Sequence, residues 1–208
     1  MTGLLLDPVF LACMLIPSTR HRLNDYTHME RKSLYYEDLS QKDSMTGLYN
    51  KANLLSILEK NIELTRITQR PLAFVMIDID HFKRYNDTWG HPEGDRALLF
   101  LAEVIRKSLR GSDIAARYGG EEFSVILPGV TQMVSIIVAE RIRKSCETQS
   151  KALGEEKAFT LSLGLAFFRP GDDAASLVRR ADKALYRAKA SGRNRIEYDD
   201  FFEDIEGY

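Results

Sequence analysis

The sequence predicts an α+β fold: a β-α-β-β-α-β core with an extra helix and strand after it, preceded by an N-terminal helical segment. Three observations carry this. Leu72–Ile79 (LAFVMIDI) is an unbroken, β-prone apolar run, as a strand buried on both faces requires. Two short β-prone stretches meet at Gly119-Gly120, a pair that lets the backbone reverse into a hairpin. Between these runs, apolar residues recur at three- and four-residue intervals, the period of amphipathic helices.

Residues 1–42 read as a segment of their own. Leu4–Ile16 is apolar, but Asp7 and Pro8 interrupt it and Pro17 closes it. At about 13 residues it is short of the roughly 20 needed to span a bilayer. It lacks a basic n-region and an A-x-A-like site, so it does not read as a signal peptide. Three readings stand: an amphipathic or dimerising segment, a membrane-contacting remnant, or a disordered start. Arg20 and Arg22 would put any membrane contact on the cytoplasmic side. Residues 19–42 are polar and charge-rich. There Tyr26, Met29, Ser33 and Tyr36 are spaced as a thin coiled-coil seam, and a solvated linker helix fits equally well.

The remaining elements follow in order. A helix is expected over 50–68, with Leu54, Leu55, Leu58, Ile62 and Leu64 as its apolar pattern. After the strand Leu72–Ile79, a helix over 93–109 turns Leu98, Leu99, Leu101, Ala102, Ile105 and Leu109 inward. Strands at about 113–118 and 122–127 form the hairpin. Thr131 caps a helix running to 147, a strand covers 159–168, and a helix over 173–190 is closed by Gly192. Ile196–Tyr198 is a last short strand. This order matches the ferredoxin-like split plan, with its helices on one face of an antiparallel sheet.

Composition narrows the function. With 29 Lys+Arg against 30 Asp+Glu the net charge is −1, so no basic face exists to coat nucleic acid, and phosphate recognition must be local. Cys13 and Cys146 have no CxxC or Cys/His spacing, which excludes a disulfide scaffold or structural zinc and suits a reducing compartment.

Three acidic features carry the chemistry. In Asp78-Ile79-Asp80 a buried strand runs into two carboxylates that alternation points to one side. Hard oxygens so placed suit Mg²⁺ holding nucleotide phosphates, or simply cap the next helix. In Gly119-Gly120-Glu121-Glu122 two glutamates crowd a hairpin tip, calling for a cation or for solvation. In Asn86-Asp87-x-x-Gly90-His91-x-x-Gly94-Asp95, Asn86 can donate and accept while Asp95 can accept two donors, which together complement a guanine edge. Turn chemistry with an acid near a helix start is the plainer alternative, and His91 alone reads as a loop histidine.

Taken together, Asp43-Ser-Met-Thr-Gly-Leu-Tyr-Asn-Lys51, the run from Asp78 to Asp95, and Arg117-Tyr-Gly-Gly-Glu-Glu-Phe123 resemble the GGDEF family of diguanylate cyclases over about residues 40–200. The resemblance implies a palm-like, nucleotidyl-cyclase-type domain over 43–200 with a tail at 201–208. It implies condensation of two GTP into cyclic di-GMP with loss of two pyrophosphates.

By position, the resemblance assigns Asp78, Glu121 and the Ile79 carbonyl to the metal, with two Mg²⁺ or Mn²⁺ ions per site. Phe82 and Lys83 fall where phosphates are cradled, and Lys83 can neutralise transition-state charge. Asn86 and Asp95 fall on guanine, with His91 close to the nucleotide. Lys189 and Arg193 fall on the triphosphate, although basic residues at a helix end also complement its dipole. Glu121 or Glu122 is the candidate proton acceptor. Arg110-Gly-Ser-Asp113 matches an RxxD site that binds product and inhibits; an ordinary surface ion pair is the alternative.

Glu121 stands where Asp is usual, Met45 where Leu is usual and Lys51 where Arg is usual; the carboxylate is kept. One domain offers one GTP site, so a homodimer is implied. The expected location is cytoplasmic, at most associated with the inner face of the membrane. The rival readings are a non-catalytic GTP- or cyclic di-GMP-binding signalling domain, and a cyclase of altered base preference.

Overall fold

The structure, a computed structural model, describes residues 41–199. The apolar start, the 26–36 seam, Cys13 and the 201–208 tail lie outside the described residues.

Leu72–Ile79 (β2) is buried at every position and forms the sheet's axis. The sheet has six strands in the order β1-β3-β4-β2-β5-β6: β1 is Tyr49–Asn50, β3 Ile114–Gly119, β4 Glu122–Pro128, β5 Leu161–Phe167 and β6 Ile196–Tyr198. The four central strands pair antiparallel. The short outer strands pair in parallel, β1 with β3 and β6 with β5. The middle strands thus have the order of the ferredoxin-like plan.

Alternation along β2 sorts the core into two layers. Ala73, Val75, Ile77 and Ile79 face Leu98, Leu101 and Ile105 of α3 (His91–Ser108), and Val138, Ala139 and Ile142 of α4 (Gln132–Gln149). Leu72, Phe74 and Met76 face Leu54, Leu58 and Ile62 of α1 (Lys51–Thr68), and Leu177, Ala181 and Leu185 of α5 (Ala174–Ala190). The helices of the β-α-β-β-α-β series do share one face. The added α1 and α5 cover the other, and both faces are closed.

Helix starts follow their caps. Asn50 accepts from Asn53 N at 3.0 Å, and Thr131 accepts from Val134 N as expected. Asp173 and Ser176 form a reciprocal capping box at α5.

Several boundaries differ from expectation. The helix expected over 93–109 is α3, and a helix that was not expected, α2 (Phe82–Trp89), precedes it, the two separated at Gly90, whose φ of 83° is left-handed. The hairpin reverses at Gly120-Glu121, because Gly119 still pairs with Glu122 and only Gly120 (φ 45°) is left-handed. Two short 3₁₀ turns, Ser150–Leu153 and Glu155–Lys157, delay β5 to Leu161. Helix α5 ends at Ala190 with Ser191 as its C-cap, and Gly192 (φ 109°) closes it as expected. Leu64, part of the apolar pattern of its helix, and Leu99, assigned inward, are 55% and 47% exposed, since periodicity marks a face but not how far its cover extends.

Candidate active site

The site is built at the end of β2. Asp78, 5% exposed, lies opposite Glu122 of β4 and Ser162 of β5. Lys189, in the last turn of α5, places Nζ 2.7 Å from Asp78 Oδ2. Burial pushes the Asp78 carboxyl up to about 6; Lys189 works against this, and the nearby Glu121 and Glu122 add to it. The ordinary value is 3.8, so the folded protein binds the proton more tightly than the unfolded chain does. Ionised Asp78 therefore removes stability as pH rises from about 4 to about 6, by up to about 3 kcal/mol. In the absence of divalent ions, Asp78→Asn should gain stability over wild type across that window and hold the gain above it. Urea unfolding at several pH values checks this.

Asp80 shares a side of the strand with Asp78, since Ser162, the cross-strand partner of Asp78, donates to it at 2.6 Å. Thr160 Oγ1 (2.7 Å) and the Asn194 N–H (3.0 Å) also donate to Asp80. Its oxygens are therefore committed to the fold. Ile79 turns its side chain into the core, leaving only its main chain for a ligand.

Beyond β2, His81 enters α2 with φ 58° and caps it with no side-chain hydrogen bond. The first-turn N–H groups at Phe82 and Lys83 therefore lack a side-chain cap, the condition for holding an anion at a helix start. Phe82, Lys83, Asn86, His91, Asp95 and Glu121 all border one cleft of about 520 Å³. Asn86 Oδ1 is buried there without a hydrogen-bond partner, against the Gly94 backbone. A Cβ at 94 would fall 1.8 Å from that oxygen and 3.3 Å from Phe82 Cζ. Gly94→Ala should thus turn Asn86 out of place, and a nucleotide that depends on Asn86 would bind more weakly by roughly tenfold or more, the loss expected when a buried polar contact is removed. Titration with a GTP analogue measures it.

Arg117, not singled out from sequence, also borders the cleft. Its guanidinium donates twice to the Gly120 carbonyl, at 3.0 and 2.8 Å, and reaches Asp43 Oδ2 at 3.4 Å. Asp43 in turn accepts from Thr46 N and Oγ1, each at 2.8 Å. The motif at 43–51 is therefore the brace of the hairpin turn. Its proximity in the Arg-Tyr-Gly-Gly motif was the only sequence signal for Arg117.

The two signature acids diverge. Glu121 faces the nucleotide-sized cleft, whereas Glu122 faces the α1/α5 side, in a second cleft of about 570 Å³ with Met76 and Tyr118. Arg193 follows α5 in a left-handed turn (φ 62°). Arg110 and Asp113 form an ion pair: Nε donates to Oδ1 at 2.7 Å, and Arg110 Nη2 donates to the Pro128 carbonyl at 2.5 Å. Pro128 pairs with Leu72, the far end of β2 from Asp78, so this pair lies roughly 20 Å from the acids along the strand. Clefts of about 300 and 280 Å³ border it.

Among the described residues, no three His, Cys, Asp or Glu side chains converge as a metal cage. Asp78 and Glu121 with a main-chain carbonyl nevertheless suit Mg²⁺, which binds through one or two carboxylates and completes its shell with water and phosphate oxygens. A buried acid whose burial resists its ionisation is also one that a cation would stabilise.

A ferredoxin-like sheet that delivers a buried carboxylate beside a glycine hairpin and an uncapped helix start defines a palm-like, nucleotidyl-cyclase-type α+β domain. The family model for the diguanylate cyclase GGDEF domain matches residues 40–195, and the chain belongs to that family. Diguanylate cyclase DosC of Escherichia coli (strain K12) is 41% identical over 157 residues, 74% of this chain and 34% of that protein. Diguanylate cyclase A of Treponema denticola is 40% identical over 164 residues, 76% of this chain and 44% of its own length. The chain thus spans between a third and a half of these curated relatives.

Among solved structures, the GGDEF domain of DgcB from Caulobacter crescentus in complex with c-di-GMP superposes with a TM-score of 0.71 at 36% identity. That match covers 76% of this chain and 95% of that one. The active GGEEF domain of a Vibrio cholerae diguanylate cyclase, whose signature also carries Glu third, matches with a TM-score of 0.68 at 33% identity over 72% and 96% of the two chains. The family is metal-dependent in general. Among the described residues no helix is long and apolar enough to cross a membrane.

Proposed function

We propose that the chain is a diguanylate cyclase, with residues 43–200 as its catalytic domain, condensing two GTP into cyclic di-GMP. The observation that carries this is the convergence of Phe82, Lys83, Asn86, His91, Asp95 and Glu121 on one cleft, with Asp78 close enough to Glu121 to feel its charge. Asn86 and Asp95 read guanine, and His91 lies close to the nucleotide. The α2 start at Phe82 and Lys83, with Lys189 and Arg193, takes the triphosphate, and Lys83 offsets charge that develops as pyrophosphate leaves. Lys189 must then exchange Asp78 for a phosphate oxygen.

Two divalent ions, Mg²⁺ or Mn²⁺, held by Asp78, Glu121 and the Ile79 carbonyl, would lower the hydroxyl's pKa and neutralise the attacking and leaving oxygens. The ribose 3′-oxygen attacks the α-phosphorus of the facing nucleotide, a P–O bond to pyrophosphate breaks, and the hydroxyl proton passes to Glu121. The step occurs twice. Glu122, opposite Asp78, is the alternative acceptor.

One cleft holds one nucleotide, so the working unit is a homodimer with facing clefts. Residues 1–42 are assigned to promoting that encounter and to any contact with the inner face of the membrane, in a cytoplasmic protein. Cyclic di-GMP, present in the DgcB complex, is the feedback inhibitor assigned to Arg110 and Asp113. Chromatography of products from purified protein with GTP and Mg²⁺, beside ATP, tests the proposal. Cyclic di-GMP formed from GTP alone, at a rate rising faster than linearly with protein concentration, is expected. No product at high concentration, after bound nucleotide is stripped, leaves the alternative of a non-catalytic nucleotide-binding domain.

A further inference from the structure

The turn after α5 holds a feature that the reaction scheme leaves unused. Gly192, Arg193 and Asn194 have φ of 109°, 62° and 47°, so two successive side-chain-bearing residues sit in the left-handed region. L-residues hold such a conformation only where their surroundings impose it. Asn194 is tied at three points. Its N–H donates to Asp80 Oδ2 at 3.0 Å, its Nδ2 donates to Glu147 Oε1 at 2.7 Å, and its Oδ1 accepts from Arg143 Nη1 at 2.5 Å. Each partner is itself fixed. Asp80 is held by Thr160 and Ser162, and Arg143 is held on α4 by Glu140 and Glu147. The Arg193 N–H donates to the Ala188 carbonyl at 2.9 Å, closing the turn on α5.

We propose that Asn194 is a positioning residue that locks this left-handed turn so that Arg193 is presented to the substrate triphosphate. Asp80 serves as the anchor on the sheet, and the Arg143–Glu147 pair as the anchor on α4. The inference rests on the reading of Arg193 as a triphosphate-binding residue. Asparagine suits the task chemically. Its amide can donate a hydrogen bond to a carboxylate and accept one from a guanidinium at the same time, and it tolerates positive φ better than most residues. The second aspartate of Asp78-Ile79-Asp80 is thereby explained. It ties the strand that bears Asp78 to the turn that bears Arg193.

The test is a double-mutant cycle on the full chain, read as affinity for a non-hydrolysable GTP analogue by calorimetry. Asn194→Gly keeps the left-handed backbone and deletes the amide. It should weaken binding about tenfold, as should Arg193→Ala, while the double variant should be no weaker than Arg193→Ala within about twofold. Glu147→Ala removes one anchor on a half-exposed helix face, leaves the turn residues intact, and should cost about threefold, again only when Arg193 is present. Losses that multiply in the double variant, or an Asn194→Gly protein that binds like wild type, overturn the clamp. An Arg193→Ala protein that binds like wild type overturns the assignment of Arg193 itself, and the clamp with it.

Discussion

Glu121→Ala should lose cyclic di-GMP synthesis by about a thousandfold or more, the scale expected when a group that stabilises developing charge or holds a catalytic ion is removed. Glu121 borders the cleft at the hairpin tip, and the Arg117 bonds to the Gly120 carbonyl keep the turn in place when only the carboxylate is removed. GTP-analogue affinity should therefore fall far less than the rate, because Asn86, Asp95 and the α2 start remain. Glu121→Asp, one methylene shorter, should restore a measurable fraction. Pyrophosphate release by the three proteins at saturating GTP measures the series. A Glu121→Ala protein within tenfold of wild type would remove Glu121 from the chemistry.

Gly164→Ala carries the largest expected cost in stability. Position 164 in β5 lies beneath α5, and a Cβ there would meet Ala181 O and Leu185 N, each at 2.2 Å, and Leu185 Cα at 2.8 Å. All three are backbone atoms, so no side chain can swing aside and the helix itself must lift. Such overpacking costs about 3 kcal/mol or more. For a domain of this size that lowers Tm by roughly 10 °C. Because α5 also carries Lys189 and leads into Arg193, triphosphate affinity should fall with stability. Differential scanning fluorimetry and analogue binding on the same sample read both.

Where the sequence was informative, a short run of adjacent residues was enough. β2 was readable because eight successive apolar or strand-end residues leave no other arrangement. The hairpin was readable because two glycines and two glutamates in a row restrict what the backbone can do. Helix α2 was not, because FKRYNDTW is polar apart from its aromatics and lies within one motif, so only the turn chemistry of Gly90 was visible. The two-residue β1 is too short to show a period.

Asp80 looked equivalent to Asp78 in the sequence. What separates them, the donors Thr160, Ser162 and Asn194, lies 80 or more residues away along the chain. Arg117 depended in the same way on Asp43, 74 residues distant. Roles set by nearby residue types were visible, and roles set by long-range partners became visible only when the chain was folded.

The outer strands of the sheet also bear on assembly. At two and three residues, β1 and β6 expose almost no ladder of unpaired N–H and C=O groups on which a neighbouring chain could template itself. Two copies brought cleft to cleft therefore have little opportunity to zip into a continuous sheet. The homodimer proposed above would gain reversibility from edges too short to hold on.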